Sequence, residues 1–130
     1  MTKLDKTDLM ILQALQNDAK TSMKTLADAL HLSKTPVYER IRRLEKEGII
    51  KRYVALVDPE KIGLPLVVFC NVSLAIHDEE HIRQFRETIG TIDEITECYT
   101  IGGIHDFFLK VVVKDLQAYD RFVLEKLTKI

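Results

Sequence analysis

Residues 22–50 read SMKTLADALHLSKTPVYERIRRLEKEGII, and this stretch decides the fold of the first half of the chain. Its apolar residues recur at helical spacing in two runs, at positions 23, 26, 27 and 30 and at positions 37, 41 and 44. Ser22 and Ser33 stand where N-cap residues are expected, and Gly48 stands where a left-handed residue ends a helix. Because the turn between the two predicted helices is so short, they must cross steeply, as in a helix-turn-helix.

A further helix is predicted in front of this pair, beginning after Asp5, whose carboxylate makes a good N-cap. Leu4 and Leu9 flank that cap and are expected to pack together as a hydrophobic staple. Leu9, Leu12 and Leu15, with Ile11 alongside, form an apolar stripe of helical period. We therefore expect this helix to bury that stripe and brace the other two.

Charge is distributed unevenly along the chain. Residues 1–52 carry 11 Lys+Arg against 7 Asp+Glu, whereas residues 53–130 carry 8 against 13. The face of the third helix opposite its apolar stripe is basic, which predicts that its N-terminal part enters the major groove of double-stranded DNA. Glu39 is expected to pair with Arg42 or Arg43 and hold them in place. The candidate DNA-binding residues are Ser33, Lys34, Thr35, Tyr38, Arg42, Arg43, Lys51 and Arg52.

The segment after Gly48 is rich in β-branched and aromatic residues, which predicts a strand over residues 49–57 that serves as a wing. Asp58-Pro59 ends this strand, and the breakers at positions 63–65 mark a boundary. The predicted organisation is a winged helix-turn-helix DNA-binding domain over residues 1–58, a linker over 59–65 and a second domain over 66–130.

The second half predicts a small α+β domain with the order β-α-β-β-α. Residues 66–76 form a near-continuous apolar run, which indicates a strand covered on both faces for much of its length. Periodicity then predicts a helix over 78–89, strands over 94–101 and 106–113, and a last helix. A ferredoxin-like unit adds a sixth element, a strand beside the first one. That strand is missing here, so either the chain is truncated or another subunit covers the exposed edge.

Several functional classes are not expected for this sequence. No apolar run approaches the roughly 20 residues that span a bilayer, and the first residues lack the core of a secretory signal, so we expect a cytoplasmic protein. Cys70 and Cys98 are isolated and show no CxxC spacing, so we expect two buried free thiols, no metal and no cofactor.

Motif residues spaced along the whole chain form a recognisable combination. They are Leu4-Asp5, Asp8, Ile11-Leu12, Leu15, Asn17-Asp18-Ala19-Lys20, Leu26-Ala27, Leu32-Ser33, Val37, Arg40-Ile41, Leu44-Glu45, Gly48-Ile49-Ile50, Gly63, Cys98-Tyr99, Gly103 and Asp106-Phe107-Phe108-Leu109. With these residues the chain resembles the Lrp/AsnC family, the leucine-responsive or feast/famine regulators of bacteria and archaea. The resemblance implies a homodimer that can assemble into an octamer, and a C-terminal ferredoxin-like domain that makes these contacts and binds a small effector, usually an amino acid.

The resemblance also implies where the effector binds, because the family's glycine–x–x–aspartate signature falls on Gly103 and Asp106. Asp106 is the candidate partner for the ammonium group of an amino acid, and backbone amides around Gly102 and Gly103 are candidates for its carboxylate. The alternative is that the glycines only form a hairpin turn, which Asp106 stabilises. Gly102 stands where the family commonly has Thr or Ser. The candidate effector-binding residues are Thr100, Gly102, Gly103, Ile104, His105 and Asp106.

Three other functions remain as alternatives. His105 and Asp106 could suggest acid–base catalysis, but no nucleophile motif, phosphate loop or cofactor fingerprint accompanies them, so we expect no enzyme. His77 and His81 have the i, i+4 spacing of a metal-responsive regulator, although an acidic helix start explains the same segment. A small-molecule sensor without DNA binding is the third alternative, and the basic third helix argues against it.

Overall fold

The computed structural model describes residues 3–130 and divides the chain into two compact units, which meet in sequence between Leu56 and Val57. Three helices form the first unit: α1 Lys6–Asn17, α2 Met23–Leu30 and α3 Lys34–Lys46. They share one small hydrophobic core, to which all three contribute, and this confirms the three predicted helices. The buried apolar residues of this core are Ile11, Leu26, Ala27, Val37, Ile41 and Leu44.

The helix ends agree with the predicted caps in position. The Ser22 hydroxyl accepts from the Thr25 backbone N–H at 3.0 Å and caps α2. Ser33 is the N-cap of α3, although its side chain makes no capping hydrogen bond. Gly48 has φ 74° and follows the C-cap of α3, a backbone conformation that glycine adopts without strain.

One detail of the predicted α1 stripe is wrong. Leu9 is 54% exposed and lies outside the hydrophobic cluster, whereas Leu4 packs against it, so the expected staple is not part of the core. The buried face of α1 contains Ile11, as expected, together with a charged residue, Asp8, which is 1% exposed. A rule that places only apolar residues inward could not find this arrangement.

The strand predicted over residues 49–57 does not form within the described chain. Residues 51–58 belong to no strand, and Tyr53, Val54 and Leu56 are exposed. A β-strand needs a neighbouring strand to accept and donate its backbone hydrogen bonds, and no segment of residues 3–130 pairs with this one. Its β-branched and aromatic composition is typical of a strand, but composition does not supply a partner.

The second unit has the predicted order of strands and helices. Its elements are β1 Leu66–Val72, α4 Glu79–Ile89, β2 Ile95–Thr100, β3 Phe107–Val113 and α5 Leu116–Glu125, with short 3-10 helices at Pro59–Ile62 and Leu127–Lys129. The strands form an antiparallel sheet in the order β1-β3-β2. This is the βαββα portion of a ferredoxin-like fold, as predicted, with three strands in the described part of the chain.

The core of the second unit lies on one face of this sheet. Every second residue of β3 is buried there, from Phe107 to Val113, and α4 and α5 add Phe85, Ile89 and Phe122. The other face is open, and Phe69 of β1 is 56% exposed on it. The prediction that β1 is covered on both faces is therefore wrong, because the apolar residues of its outer face have no helix packed on them in the described chain.

The two cysteines also differ from the expectation of buried thiols. Both are free, but Cys70 is only partly buried and Cys98 is exposed. None of the helices in the described residues is long and apolar enough to cross a membrane.

Candidate nucleic-acid interface and effector-binding turn

The candidate DNA-binding surface lies on α3. Because Val37, Ile41 and Leu44 point into the core, Tyr38 and Arg42 stand on the exposed side of the helix. The Tyr38 hydroxyl accepts a hydrogen bond from Arg42 Nη1 at 3.1 Å, which raises the pKa of Arg42. The Arg42 guanidinium also lies 5.8 Å from the centroid of the Tyr38 ring. The tyrosine thus holds this guanidinium on the free face of the helix.

The start of α3 presents three further candidates on the same exposed side. Ser33, Lys34 and Thr35 are all exposed, and the Ser33 hydroxyl is not occupied by a capping bond. The first backbone N–H groups of a helix have no intrahelical acceptor and point at any anion placed before them. The arrangement suits a phosphate oxygen at this end. Lys51 and Arg52 are exposed in the segment that follows the helix.

Arg43 has a different environment from Arg42. Its Nη2 bonds Asp8 Oδ2 of α1, and its Nε is buried without a hydrogen-bond partner. Neither Arg42 nor Arg43 forms an ion pair with Glu39 in the described structure, so the predicted role of Glu39 is wrong. The contact of Arg43 with DNA stays a prediction, and its guanidinium would have to serve both Asp8 and a phosphate.

Asp8 belongs to a cluster that fastens α3 to the start of α1. The carboxylates of Asp5 and Asp8 cap α1 reciprocally, each accepting from the other's backbone N–H. Arg40 Nη1 donates to both carboxylates, at 2.7 Å to Asp5 and 2.9 Å to Asp8. The hydrogen bond from Arg40 lowers the pKa of the Asp5 carboxyl. The cluster of Asp5, Asp8, Arg40 and Arg43, here called the α1–α3 clasp, fixes the orientation of the candidate recognition helix.

The candidate effector-binding turn lies between β2 and β3. Ile101 N–H donates to the Asp106 carbonyl at 3.0 Å and closes the hairpin. Gly103 has φ 105°, which requires glycine, but Gly102 has an ordinary backbone, and a Cβ on it would meet nothing within 4 Å. The conformation of the turn therefore explains why residue 103 is glycine. It does not explain why residue 102 is glycine.

Asp106 ties this turn to the end of β1. Its backbone N–H donates to the Val72 carbonyl at 2.9 Å, and its Oδ2 accepts from the Leu74 N–H at 2.7 Å. His77 Nδ1 lies 3.3 Å from the other oxygen, Oδ1. The Asp106 side chain is 25% exposed. These contacts support the turn-stabilising role of Asp106, and its role toward an ammonium group stays a prediction.

The other predicted effector residues do not form one group. His105 Nδ1 shares a 2.9 Å hydrogen bond with Ser73 Oγ, and Ile104 is 90% exposed. Thr100 Oγ1 accepts from Arg86 Nη2 of α4 at 2.9 Å. Ser73 and Arg86 were not found by sequence reasoning, because each meets its partner across a long stretch of chain and belongs to no short motif.

The imidazoles of His77 and His81 bind different carboxylates. His77 faces Asp106, whereas His81 Nδ1 lies 2.6 Å from Asp78 Oδ1, and the hydrogen bond from the His81 backbone lowers the pKa of Asp78. Within residues 3–130, no group of three or more His, Cys, Asp or Glu side chains is placed to hold a metal ion.

Comparison with known proteins matches both units. The model of the family described as "Winged helix-turn-helix DNA-binding" matches residues 4–51, and that of the "Lrp/AsnC ligand binding domain" matches residues 67–130. The Bkd operon transcriptional regulator of Pseudomonas aeruginosa is 40% identical over 130 residues, which are 100% of this chain and 85% of that protein. The chain belongs to the Lrp/AsnC family. The resemblance drawn from the motif residues is thereby confirmed.

Other members of the Lrp/AsnC family show the same likeness. Transcriptional regulator AzlB of Bacillus subtilis is 36% identical over 124 residues, covering 95% of this chain and 79% of that protein. The crystal structure of an AsnC family regulator from Agrobacterium tumefaciens matches with a TM-score of 0.89 at 38% identity, over 98% of this chain and 83% of that one. The crystal structure of a transcriptional regulator of Neisseria meningitidis in complex with L-Met matches with a TM-score of 0.88 at 32% identity, over 97% of this chain and 81% of that one.

Proposed function

We propose that this chain is a sequence-specific regulator that binds double-stranded DNA through α3 and responds to a small effector, most simply an amino acid. The observation that carries the proposal is the exposed basic side of α3, where Arg42 and Tyr38 lie opposite a buried apolar stripe. Membership of a family of transcriptional regulators supports the same function. The L-Met complex of the Neisseria relative supports an amino-acid effector.

Replacing Arg42 with alanine is expected to weaken DNA binding by about 1–3 kcal/mol, roughly 5- to 150-fold, if the guanidinium contacts a base edge. The probe is a duplex selected by the wild-type chain from a random-sequence pool, with affinity measured by fluorescence anisotropy at several salt concentrations. Each lost phosphate contact would also make the slope of log K against log salt less negative by about 0.9.

The control for Arg42 is Arg83→Ala, which removes an exposed arginine of the second unit that pairs with Glu80 and Glu87. Its DNA affinity should equal that of the wild-type chain. Equal affinity and equal salt slope in Arg42→Ala would refute the assignment of α3 as the recognition helix.

The effector response is tested at Asp106, which we propose as the partner of the effector's ammonium group. Asp106→Asn keeps an oxygen that can accept from the Leu74 N–H but removes the negative charge. We expect this variant to lose at least about tenfold in affinity for the amino acid that stabilises the wild-type chain, since a charge-assisted hydrogen bond becomes a neutral one. The measurement is a thermal-shift screen of the twenty amino acids followed by calorimetric titration.

A matched comparison for Asp106 is Asp78→Asn, which alters a carboxylate bonded to His81 outside the turn. Its amino-acid affinity should remain that of the wild-type chain. An Asp106→Asn variant that binds the amino acid as tightly as the wild-type chain would rule out the ammonium role.

We further propose that the protein acts as a homodimer, joined through the open face of the sheet, and that dimers can assemble further into an octamer. Phe69 of β1 and Phe108 of β3 stack on this face with ring centroids 5.3 Å apart. Phe69, Val67 and Tyr99 are all exposed on it. Exposed apolar patches of this kind are typical of surfaces that bind another protein. A second copy of the same face would cover it on both chains.

A further inference from the structure

A cavity of about 390 Å³ lies beside the β2 edge of the sheet, under α4, and the proposed function makes no use of it. It combines one cation, one carboxylate, two threonine hydroxyls and a thiol with apolar walls. Its lining residues include Arg86, Ile89, Ile95, Glu97, Cys98 and Thr100.

Arg86 supplies the positive charge of this cavity. Its Nη2 donates to Thr100 Oγ1 at 2.9 Å, and its guanidinium lies 5.8 Å from the centroid of the Phe107 ring. Arg86 forms no ion pair with any residue from 3 to 130, whereas Arg83 on the same helix pairs with two glutamates. A guanidinium has five N–H donors, so Arg86 keeps donors for an anion after it has bonded Thr100.

The register of β2 decides which side chains face this cavity. Cys98 and Thr100 pair with Leu109 and Phe107, which are buried under the helices, so their side chains lie on the helical face of the sheet. Glu97 pairs with Lys110, which alternates with those buried residues and lies on the opposite face. The strand shifts register between Ile95 and Glu97, and Glu97 forms no ion pair with Arg86 in the described residues although both line the cavity.

The cavity therefore has a cation on the helical face, and the carboxylate residue in its lining, Glu97, belongs by register to the opposite face. Burial raises the pKa of the Cys98 thiol, so at neutral pH it is uncharged and does not compete for Arg86. A ligand with a carboxylate would gain charge-assisted hydrogen bonds from Arg86. An ammonium group placed beside Arg86 would instead be repelled by the guanidinium.

We propose that this cavity binds a small monocarboxylate that lacks an ammonium group, such as a 2-oxo acid with a short apolar tail. The carboxylate lies on the Arg86 guanidinium beside the Thr100 hydroxyl, and the tail packs on Ile89 and Ile95. This site is distinct from the proposed amino-acid site at Asp106, whose carboxylate serves the end of β1. The same regulator would then sense an amino acid and the corresponding oxo acid at two places.

The test compares three probes with one carbon skeleton, namely 4-methyl-2-oxopentanoate, 4-methylpentanoate and L-leucine. They are titrated calorimetrically into the full chain carrying Asp106→Asn, the substitution expected to weaken the proposed amino-acid site. We expect the two probes without an ammonium group to bind at least about tenfold tighter than L-leucine, the size of a typical charge-assisted contact. L-leucine binding as tightly as the oxo acid in this background would overturn the proposal.

Variants then locate the binding site. Arg86→Met keeps the apolar stem over Phe107 and should lose at least about tenfold in oxo-acid affinity. Thr100→Val should lose less, because it removes one neutral hydroxyl. Arg83→Met, the matched change on the same helix, should bind the oxo acid like its parent. Equal oxo-acid affinity in Arg86→Met and Arg83→Met would overturn the proposal.

A second readout does not depend on whether the arginine variant folds. Cys98 lines the cavity and is exposed, so it should react with N-ethylmaleimide, and bound 4-methyl-2-oxopentanoate should slow that reaction at least about threefold. Cys70, outside the cavity, is the internal reference and should react at an unchanged rate. Absence of protection at saturating oxo acid would overturn the proposal. The proposed amino-acid response at Asp106 is tested by a separate titration. If the wild-type chain showed no such response, the oxo-acid binding and the protection of Cys98 would still be expected.

Discussion

Asp8→Ala is expected to destabilise the three-helix unit by about 2–3 kcal/mol, because it removes the shared acceptor of two arginines. Removing one partner of a fully buried ion pair costs about 3–5 kcal/mol, since the remaining charge is left without compensation. Here Asp8 is 1% exposed, but the side chains of Arg40 and Arg43 are 30% and 40% exposed and keep part of their hydration. We therefore expect a value below the fully buried range.

The α1–α3 clasp also predicts an effect of Asp8→Ala on DNA binding, at a temperature where the variant remains folded. Without Asp8, the side chain of Arg43 loses its partner on α1, and Arg40 keeps only Asp5. The position of α3 is then held at this end by apolar packing and by the remaining Arg40–Asp5 ion pair. We expect DNA affinity to fall by at least about fivefold even though Asp8 does not contact DNA, a change of roughly 1 kcal/mol.

Two measurements separate stability from positioning in Asp8→Ala. Native-state hydrogen exchange of the α3 amides reads the local free energy of opening, and anisotropy reads DNA affinity. Asp28→Ala, which removes an exposed carboxylate of α2, is the control and should change neither quantity. Asp8→Asn keeps an acceptor for the Asp5 N–H and should fall between the alanine variant and the wild-type chain. Wild-type protection of α3 in Asp8→Ala would contradict the clasp.

The clasp shows where sequence reasoning succeeds and where it stops. The helices of the first unit follow from residues close together in sequence, such as the cap at Asp5 and the stripe of Val37, Ile41 and Leu44. Periodicity treats Asp8 as an outward residue because it is charged. Its burial depends on Arg40 and Arg43, which come more than thirty residues later. A pairing at that distance leaves no mark on local spacing.

The second unit has the same division between local and distant information. Alternating burial in β3 and the order β-α-β-β-α could be predicted, because they depend on neighbouring residues. The exposure of one face of β1 could not be predicted, because a run of apolar residues does not show whether a helix covers each side of the strand. The cavity at Arg86 was missed for a related reason, because the register shift beside Glu97 decides which side chains share a face.

Phe69→Glu is expected to convert the proposed homodimer into a monomer. Phe69 is 56% exposed in the single chain, so the substitution should leave the fold of the monomer intact. In a dimer joined through the open sheet face, the new carboxylate would be buried beside Phe108 and opposite Lys110, its cross-strand neighbour. Taking both charges out of water costs more than their attraction returns unless their geometry is very good, so the dissociation constant of the dimer should rise by roughly tenfold or more.

The mass of the species in solution decides this prediction, measured by sedimentation over a range of concentrations. The chain has a mass of 15.0 kDa, and Phe69→Glu should sediment as this single mass where the wild-type chain sediments as twice it or a higher multiple. Leu124→Glu is the matched control, because Leu124 is 68% exposed on α5 and lies on a helix, away from the open face. Dissociation of Leu124→Glu with an intact Phe69→Glu dimer would place the interface on the helices. Because the proposed octamer is built from dimers, loss of the dimer in Phe69→Glu should remove the larger species as well.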